Sequence, residues 1–285
     1  MGYKQALVRL LDRPGGRFIL GTVATVVARQ LARNDVKIAY IHGRWTRRIG
    51  ASLTPAGTHF YYTPQEFRKW REETEQYVSE TRDFWLQFYE PKEGDTIIDV
   101  GAGQGENTFA FSRAVGKSGR VIAIEAHPLS FKALKSFCRL NHLSNVTPVH
   151  VALMDKPGKV CIAEAKSWKE NSVVNGNGVS GMTVQAGTLD DLCLKEGITD
   201  IAFLKMNIEG AERYALPGAE KTMACVRHVC VACHDFRANQ DHGEPFRTRA
   251  FVEHFLADHG FTAALRLDDP RDYIRDHVYG LRPFR

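Results

Sequence analysis

The stretch Thr96-Ile-Ile-Asp-Val-Gly-Ala-Gly-Gln-Gly-Glu-Asn-Thr108 constrains the fold more than any other part of the chain. An apolar run ends in glycines at every second position, Gly101, Gly103 and Gly105, and polar Glu106, Asn107 and Thr108 open the next segment. A strand that turns through glycines into a helix is a unit of a parallel sheet. At the sheet's carboxyl edge, backbone N–H groups and the positive helix end then face a ligand.

The rest of the chain extends that unit. From Pro91 onward, strand-like runs at Thr96 to Val100, Val121 to Glu125, Val146 to Leu153, Ile201 to Met206 and Val229 to Cys233 alternate with helical ones. The helices are expected at Asn107 to Val115, Leu129 to Asn141, Leu189 to Lys195, Ala211 to Met223 and Phe246 to His259. Near-continuous apolar strands in that order indicate a parallel sheet covered on both faces. Phe261 to Leu267 and His277 to Leu281, joined by Asp268-Asp-Pro-Arg271, predict a terminal antiparallel hairpin, and Asn171 to Gly181 a flexible loop. Upstream, Thr63-Pro-Gln-Glu66 is a capping-box helix start. Aromatic positions including Phe67, Trp70, Tyr77, Phe84, Trp85 and Phe88 carry that helix to about Tyr89, over a face of the sheet.

With 44% hydrophobic and 25% charged residues in 285, one large α/β domain is expected, at residues 63–285, behind a basic extension at 1–62. The extension reads as an amphipathic piece (Tyr3 to Leu11), a Pro14-Gly-Gly16 break, an apolar helix-like stretch to Arg33, and a basic loop. Its first fifty residues hold ten Lys or Arg against Asp12 and Asp35 alone. Such asymmetry suits a peripheral membrane contact or an oligomer contact, and equally a solvated arm. Sparse aromatic interleaving argues against nucleic acid. The apolar run Phe18 to Ala28, about 11 residues, is short of the roughly 20 a membrane span needs. It lacks a cleavage pattern, so a cytoplasmic location is expected. Cys230-Val-Ala-Cys233 lies in a strand-like run without a second CxxC, which points to packing and to no metal site.

The glycine spacing is informative about the ligand. A dinucleotide fingerprint places its third glycine one residue later, and a P-loop needs a Gly-Lys-Ser/Thr ending that is missing. Asp99, two residues before Gly101, would repel pyrophosphate but suits a ligand carrying an ammonium and a sulfonium, which describes S-adenosylmethionine. Asp99, Gly101, Ala102, Gly103, Gly105, Asn107 and Thr108 are the expected cofactor residues of this turn. Glu125, about 20 residues on at the end of the next strand, is placed to accept from both ribose hydroxyls, with Ala126 beside it. Ala152 and Leu153 fit an apolar wall for adenine, or simply a strand end in the core.

The segments "KEGDTIIDVGAGQGENT", "VIAIEAHP", "NVTPVHVAL", "TLDDL" and "LKMNIEGAERYALPGA" make the chain resemble the FkbM family of S-adenosylmethionine-dependent methyltransferases over roughly Pro91 to His234. The resemblance implies the Rossmann-like class I methyltransferase fold, with a seven-stranded, mostly parallel sheet ending in an antiparallel hairpin, here behind an N-terminal helical extension. It also implies O-methylation of a hydroxyl on a glycan, lipid-linked or natural-product acceptor. Asn207 stands where the family usually carries Asp, which weakens a metal-assisted mechanism there. Lys205, Asn207 and Glu209 alternate, so they are expected to share a face and meet the acceptor. Helix capping by Glu209 and pairing of Lys205 with a carboxylate explain those two as well. His234 is the preferred general base, with Glu209 the other candidate, and Lys205 a stabiliser of the developing alkoxide. The loop Asp235 to Thr248 has the length of a lid or substrate reader. An RNA methyltransferase using the basic extension and a cofactor-fold protein without chemistry are the competing readings.

Overall fold

The computed structural model describes residues 3–33, 35–41, 43–49, 52–55, 60, 63–69, 73–163, 173–174, 181–238 and 243–282. The chain divides into two compact units, residues 1–80 with 136–143, and residues 81–135 with 144–285. The boundary expected at residues 62/63 therefore lies inside the first unit.

In the first unit, α1 (Tyr3–Leu11) and α2 (Arg17–Ala32) precede three short strands, β1 (Val36–Ile41), β2 (Arg44–Ile49) and β3 (Ser52–Pro55), which form an antiparallel sheet. The expected basic loop is thus a sheet. α2 packs on it through Leu20, Ala24, Ala28 and Ala32, which meet Val36, Ile38, Trp45 and Ile49. Small residues every fourth position let the helix sit close, and a side chain at Gly21 would stand 3.0 Å from the Ile38 carbonyl. Asp12 ties the unit together by accepting from the Trp45 indole at 2.9 Å, the Phe60 amide at 2.8 Å and Arg17 at 3.2 Å. Helix α3 (Pro64–Lys69) opens with the reciprocal bonds of a capping box, Thr63 N–H to Glu66 at 2.7 Å and Glu66 N–H to Thr63 Oγ1 at 3.3 Å. The next helix, α4 (Glu73–Trp85), begins after residues outside the described set, Trp70 among them.

The second unit contains β4 (Thr96–Val100), α5 (Glu106–Ala114), β5 (Arg120–Ile124), the beginning of α6 (Pro128–Leu140), whose residues from 136 onward count with the first unit, and β6 (Val146–Val149). Then come β7 (Ala152–Leu153), β8 (Gly158–Ala163), β9 (Val173–Val174), β10 (Gly181–Gly187), α7 (Leu189–Lys195) and β11 (Ile201–Met206). The chain finishes with α8 (Glu212–Ala215), β12 (Val226–Ala232), α9 (Asp235–Arg237), α10 (Arg249–Asp258), β13 (Thr262–Ala264), α11 (Asp272–Arg275) and β14 (His277–Leu281). Seven strands form the main sheet in the order β13-β14-β12-β11-β4-β5-β6, in which β14 alone is reversed, antiparallel to β12 on one side and to β13 on the other. That is the expected class I architecture with its terminal antiparallel hairpin.

The period-2 alternation of the central strands separates two cores. Ile98, Val100, Ile122, Leu204, Met206 and Val229 fill one face, and Ile97, Val121, Phe203 and Cys230 fill the other with Trp85, Tyr89 and Phe111. Cys230 and Cys233 fall in different cores, both buried, so the CxxC spacing brings no thiol pair together. The strand expected from Val146 to Leu153 is broken: β7 leaves the main sheet and joins a second one, β7-β10-β8-β9. The helix expected from Ala211 to Met223 is α8 followed by two 3-10 turns, because Pro217 and Gly218 interrupt it. The expected flexible loop at Asn171 to Gly181 lies mostly outside the described residues.

Candidate active site

The switch point lies where β4 and β11 are neighbours while their following helices lead away on either side. All three glycines after β4 have positive φ, +73° at Gly101, +59° at Gly103 and +109° at Gly105. Only glycine adopts that succession cheaply. The turn is stapled to the end of β5. Gly101 and Ala102 both donate to the Ile124 carbonyl at 2.9 Å, and Gly103 donates to Glu125 Oε2 at 2.8 Å. Gly101 also lies against the segment after β11, where any β-carbon would stand 1.9 Å from the Asn207 carbonyl.

Glu125 is half-buried at the end of β5. Its other oxygen accepts from the His127 amide at 2.8 Å. Burial raises the pKa of this carboxyl, against the pull of those two amides. Each oxygen has two lone pairs and gives one to the backbone, so acceptor capacity is left for a diol. Asn107 lies at the head of α5, its amide oxygen taken by the Thr81 hydroxyl at 2.9 Å, and Gly103 and Ala126 remain partly exposed.

The expectations for Asp99, Lys205, Thr108, Ala152 and Leu153 are corrected here, because all five side chains are buried. Asp99 does not face a ligand. Lys205 is its register partner across β4 and β11, so both side chains project to the face carrying Ile97 and Phe203. There they pair at 2.8 Å with no exposure, Thr108 donates to Asp99 at 2.6 Å, and Trp85 covers the ammonium at 5.0 Å from its ring centre. Lys205 also donates to the carbonyls of Val100 at 3.2 Å and Gly101 at 2.8 Å. It therefore holds the glycine turn from beneath and does not stabilise an alkoxide. Thr108 is fully buried with them. Ala152 and Leu153 are interior residues, 2% and 5% exposed. Ala152 packs on Ile162 and Val184 in the second sheet, and Leu153 joins the main core, so neither forms an adenine wall.

The segment following β11 leaves the strand at Asn207 and turns sharply at Glu209, whose φ is +56°. Non-glycine residues hold that conformation only where the surroundings fix it. Here Glu209 Oε1 accepts from His234 Nε2 at 3.3 Å and Oε2 from Arg237 Nη1 at 2.5 Å. His234, at the end of β12, is 5% exposed, and its Nδ1 stands 3.7 Å from Glu212 Oε1. Burial opposes charge on the imidazole, but the bond and charge of Glu209, with Glu212 behind, raise its pKa. Burial likewise opposes ionisation of Glu209, and His234 and Arg237 reverse that and lower its pKa. Glu212 has no exposed surface, and burial raises its pKa. The resulting arrangement sets the His234 ring and the Arg237 guanidinium against the two oxygens of Glu209, with the Glu212 carboxyl buried beneath.

Lys205, Asn207 and Glu209 thus do not converge on one face. The two candidate bases, Glu209 and His234, are in contact with each other, and Arg237 and Glu212, which carried no expected role, complete the cluster. Their signals were positional: Arg237 lies one helical turn beyond His234, and Glu212 three residues after Glu209. Among the described residues no group of three or more His, Cys, Asp and Glu side chains is arranged to hold a metal ion. The loop from Asp235 to Thr248 is pinned at its base, because Asp235 accepts from the amides of Thr248 and Arg249, each at 3.0 Å. Arg237 stacks over Phe246 at 4.4 Å. The tip of this loop lies outside the described residues.

Two features fit an adenosyl amino acid. Glu125 offers spare acceptor capacity to a ribose beside the glycine turn. Asn207 Oδ1 is a buried acceptor with no protein donor among the described residues, next to Gly101, where an ammonium would satisfy it.

A family model of the methyltransferase FkbM domain matches residues 99–263. Among solved structures, an FkbM methyltransferase from Methylobacillus flagellatus KT is 16% identical over 90% of this chain, with a TM-score of 0.49. This chain spans 59% of that protein's length. Aeropyrum pernix fibrillarin, solved with natively bound S-adenosyl-L-methionine, is 13% identical, covering 86% of this chain and 99% of its own at a TM-score of 0.45. An O-methyltransferase from Bacillus cereus in complex with SAH is 12% identical over 78% of this chain and 83% of its own, with a TM-score of 0.43. No curated protein matches the sequence. The family match extends from the buried Asp99 to β13, through the glycine turn, Glu125 and the Glu209–His234 cluster, and the chain belongs to the FkbM methyltransferase domain family.

Proposed function

We propose that the protein is an S-adenosylmethionine-dependent O-methyltransferase whose acceptor is a hydroxyl on a glycan, lipid-linked or natural-product molecule. The observation that carries this reading is the Glu209 carboxylate, held by His234 and Arg237 at the carboxyl edge of β11 and β12, across the switch point from Glu125.

S-adenosylmethionine supplies an electrophilic methyl group on a sulfonium when bound. Glu125 would hold the ribose diol, and Asn207 Oδ1 would accept from the ammonium. Glu209 orients the acceptor by receiving its O–H hydrogen bond. The acceptor O–H becomes strongly acidic as its oxygen is alkylated, the methyl–sulfur bond breaks and the neutral thioether departs, so Glu209, even as a carboxylate of lowered pKa, is base enough to take the proton. His234 keeps its own proton and positions Glu209, which reverses the sequence preference for histidine as the base. Positioning supplies much of the remaining rate.

Tritiated S-adenosylmethionine with fractionated glycan, lipid and small-molecule extracts tests the proposal. Label should appear in an ether that survives mild alkali, and Glu209→Gln should lower kcat by about 10²- to 10⁴-fold with little change in S-adenosylhomocysteine affinity. Transfer to RNA, or binding without transfer, would refute it.

A further inference from the structure

We propose that the solvent face of α2 is a membrane-surface anchor that lies in the plane of an anionic bilayer. α2 buries Leu20 and the small-residue edge Gly21, Ala24, Ala28 and Ala32. The opposite face is also apolar: Phe18, Ile19, Val23, Val26 and Val27 are 83%, 54%, 56%, 60% and 36% exposed. A helix with apolar residues on both its packed and its solvent face, here interrupted on the outside only by Thr22 and by Arg29 and Gln30 in its last turn, suits a lipid surface better than water. Of the two hydroxyls in that stretch, Thr22 is turned back onto the Phe18 carbonyl at 2.8 Å and Thr25 donates to the Ile38 carbonyl at 3.2 Å, so neither presents an unsatisfied donor to hydrocarbon. On α1, Leu7 and Leu10 are exposed as well, at 49% and 59%.

Charge selects the occupant. Both acids of the first fifty residues are engaged, Asp12 by Arg17 and Asp35 by Arg29 and Arg48. Exposed Arg13 and Arg33 bracket the apolar stretch at either end of α2. A second copy of the chain would bring like charges together around the patch, whereas anionic headgroups would neutralise them. No helix among the described residues is long and apolar enough to cross a membrane. At 16 residues, α2 lies on the surface, its apolar face in the acyl boundary and its arginines among the phosphates.

The test is co-sedimentation of the full chain with phosphatidylcholine vesicles, with and without about one third phosphatidylserine. The protein should partition onto the anionic vesicles about tenfold or more better, and lose this in high salt. The combined variant Ile19→Gln, Val23→Gln and Val26→Gln should lose at least about tenfold in partitioning, with circular dichroism and S-adenosylhomocysteine binding preserved. If that variant does not fold, Phe18→Trp serves instead: its added indole emission should shift blue and be quenched by brominated acyl chains. Absence of vesicle binding, binding that survives the triple substitution, or an added indole emission that stays water-exposed in Phe18→Trp overturns the proposal. A dimer that the triple variant abolishes, without vesicle binding, assigns the face to a second copy and overturns it too.

Discussion

Replacing Lys205 with methionine separates a structural lysine from a catalytic one. The side chain has no exposure, pairs with Asp99 at 2.8 Å and donates to two carbonyls of the β4 end. Methionine keeps most of the volume but leaves Asp99 as a buried charge with only the Thr108 hydroxyl. Removing one partner of a buried pair costs about 3–5 kcal/mol, and in a unit of this size that lowers Tm by roughly 6–20 °C. The glycine turn loses its support too, so S-adenosylhomocysteine should bind more weakly. The companion Asp99→Asn removes the stranded charge while keeping an acceptor for Thr108. The double variant should therefore recover a large part of the loss, a coupling of about 1–3 kcal/mol in a double-mutant cycle. Urea denaturation and calorimetry measure both quantities. If Lys205→Met is as stable as the parent and binds the cofactor normally, yet loses methyl transfer, Lys205 acts on the acceptor and the pairing argument is wrong.

The remaining expectations concern the turn and the acid–base cluster. Gly101→Ala should cost at least about 3 kcal/mol, seen in urea melts, because its β-carbon would meet the Asn207 carbonyl at 1.9 Å in a backbone of φ +73°. The raised pKa of His234 makes its share of the pair fully present below the ordinary value of 6.5 and lost as pH rises through the folded value. The lowered pKa of Glu209 makes its share present above the ordinary 4.5 and lost as pH falls through the folded value. The stability difference between the parent and Glu209→Gln should accordingly be widest between those two pH values; a difference flat with pH would contradict the ion pair. Arg237→Met should raise the Glu209 pKa, moving the acidic limb of the kcat profile to higher pH, whereas an unmoved limb would remove Arg237 from the cluster.

The glycine turn and Glu125 were readable because their chemistry is local: positive φ needs glycine, and the acid follows at the next strand end. Leu189–Lys195 and His277–Leu281 were also read with their true bounds, one marked by the Thr188 cap and the other by a turn before it. The side to which Asp99 and Lys205 point was not readable. It depends on the register of β4 against β11, and these strands lie a hundred residues apart in sequence. Sheet β1-β2-β3 hid behind Arg44, Arg47 and Arg48, whose charges resemble a loop although Trp45 and Ile49 are buried between them. The break after β6 sends Ala152 into another sheet, and no alternation pattern marks that change.

The central claim is that the glycine turn and the Glu125 carboxylate together hold the adenosyl end of the cofactor. Calorimetric titration of S-adenosylhomocysteine into the parent and into Glu125→Ala addresses it directly. The account predicts saturable one-to-one binding that weakens by about 10- to 150-fold in the variant, the worth of charge-assisted bonds to a diol. No binding to the parent, or equal affinity in both proteins, would contradict it.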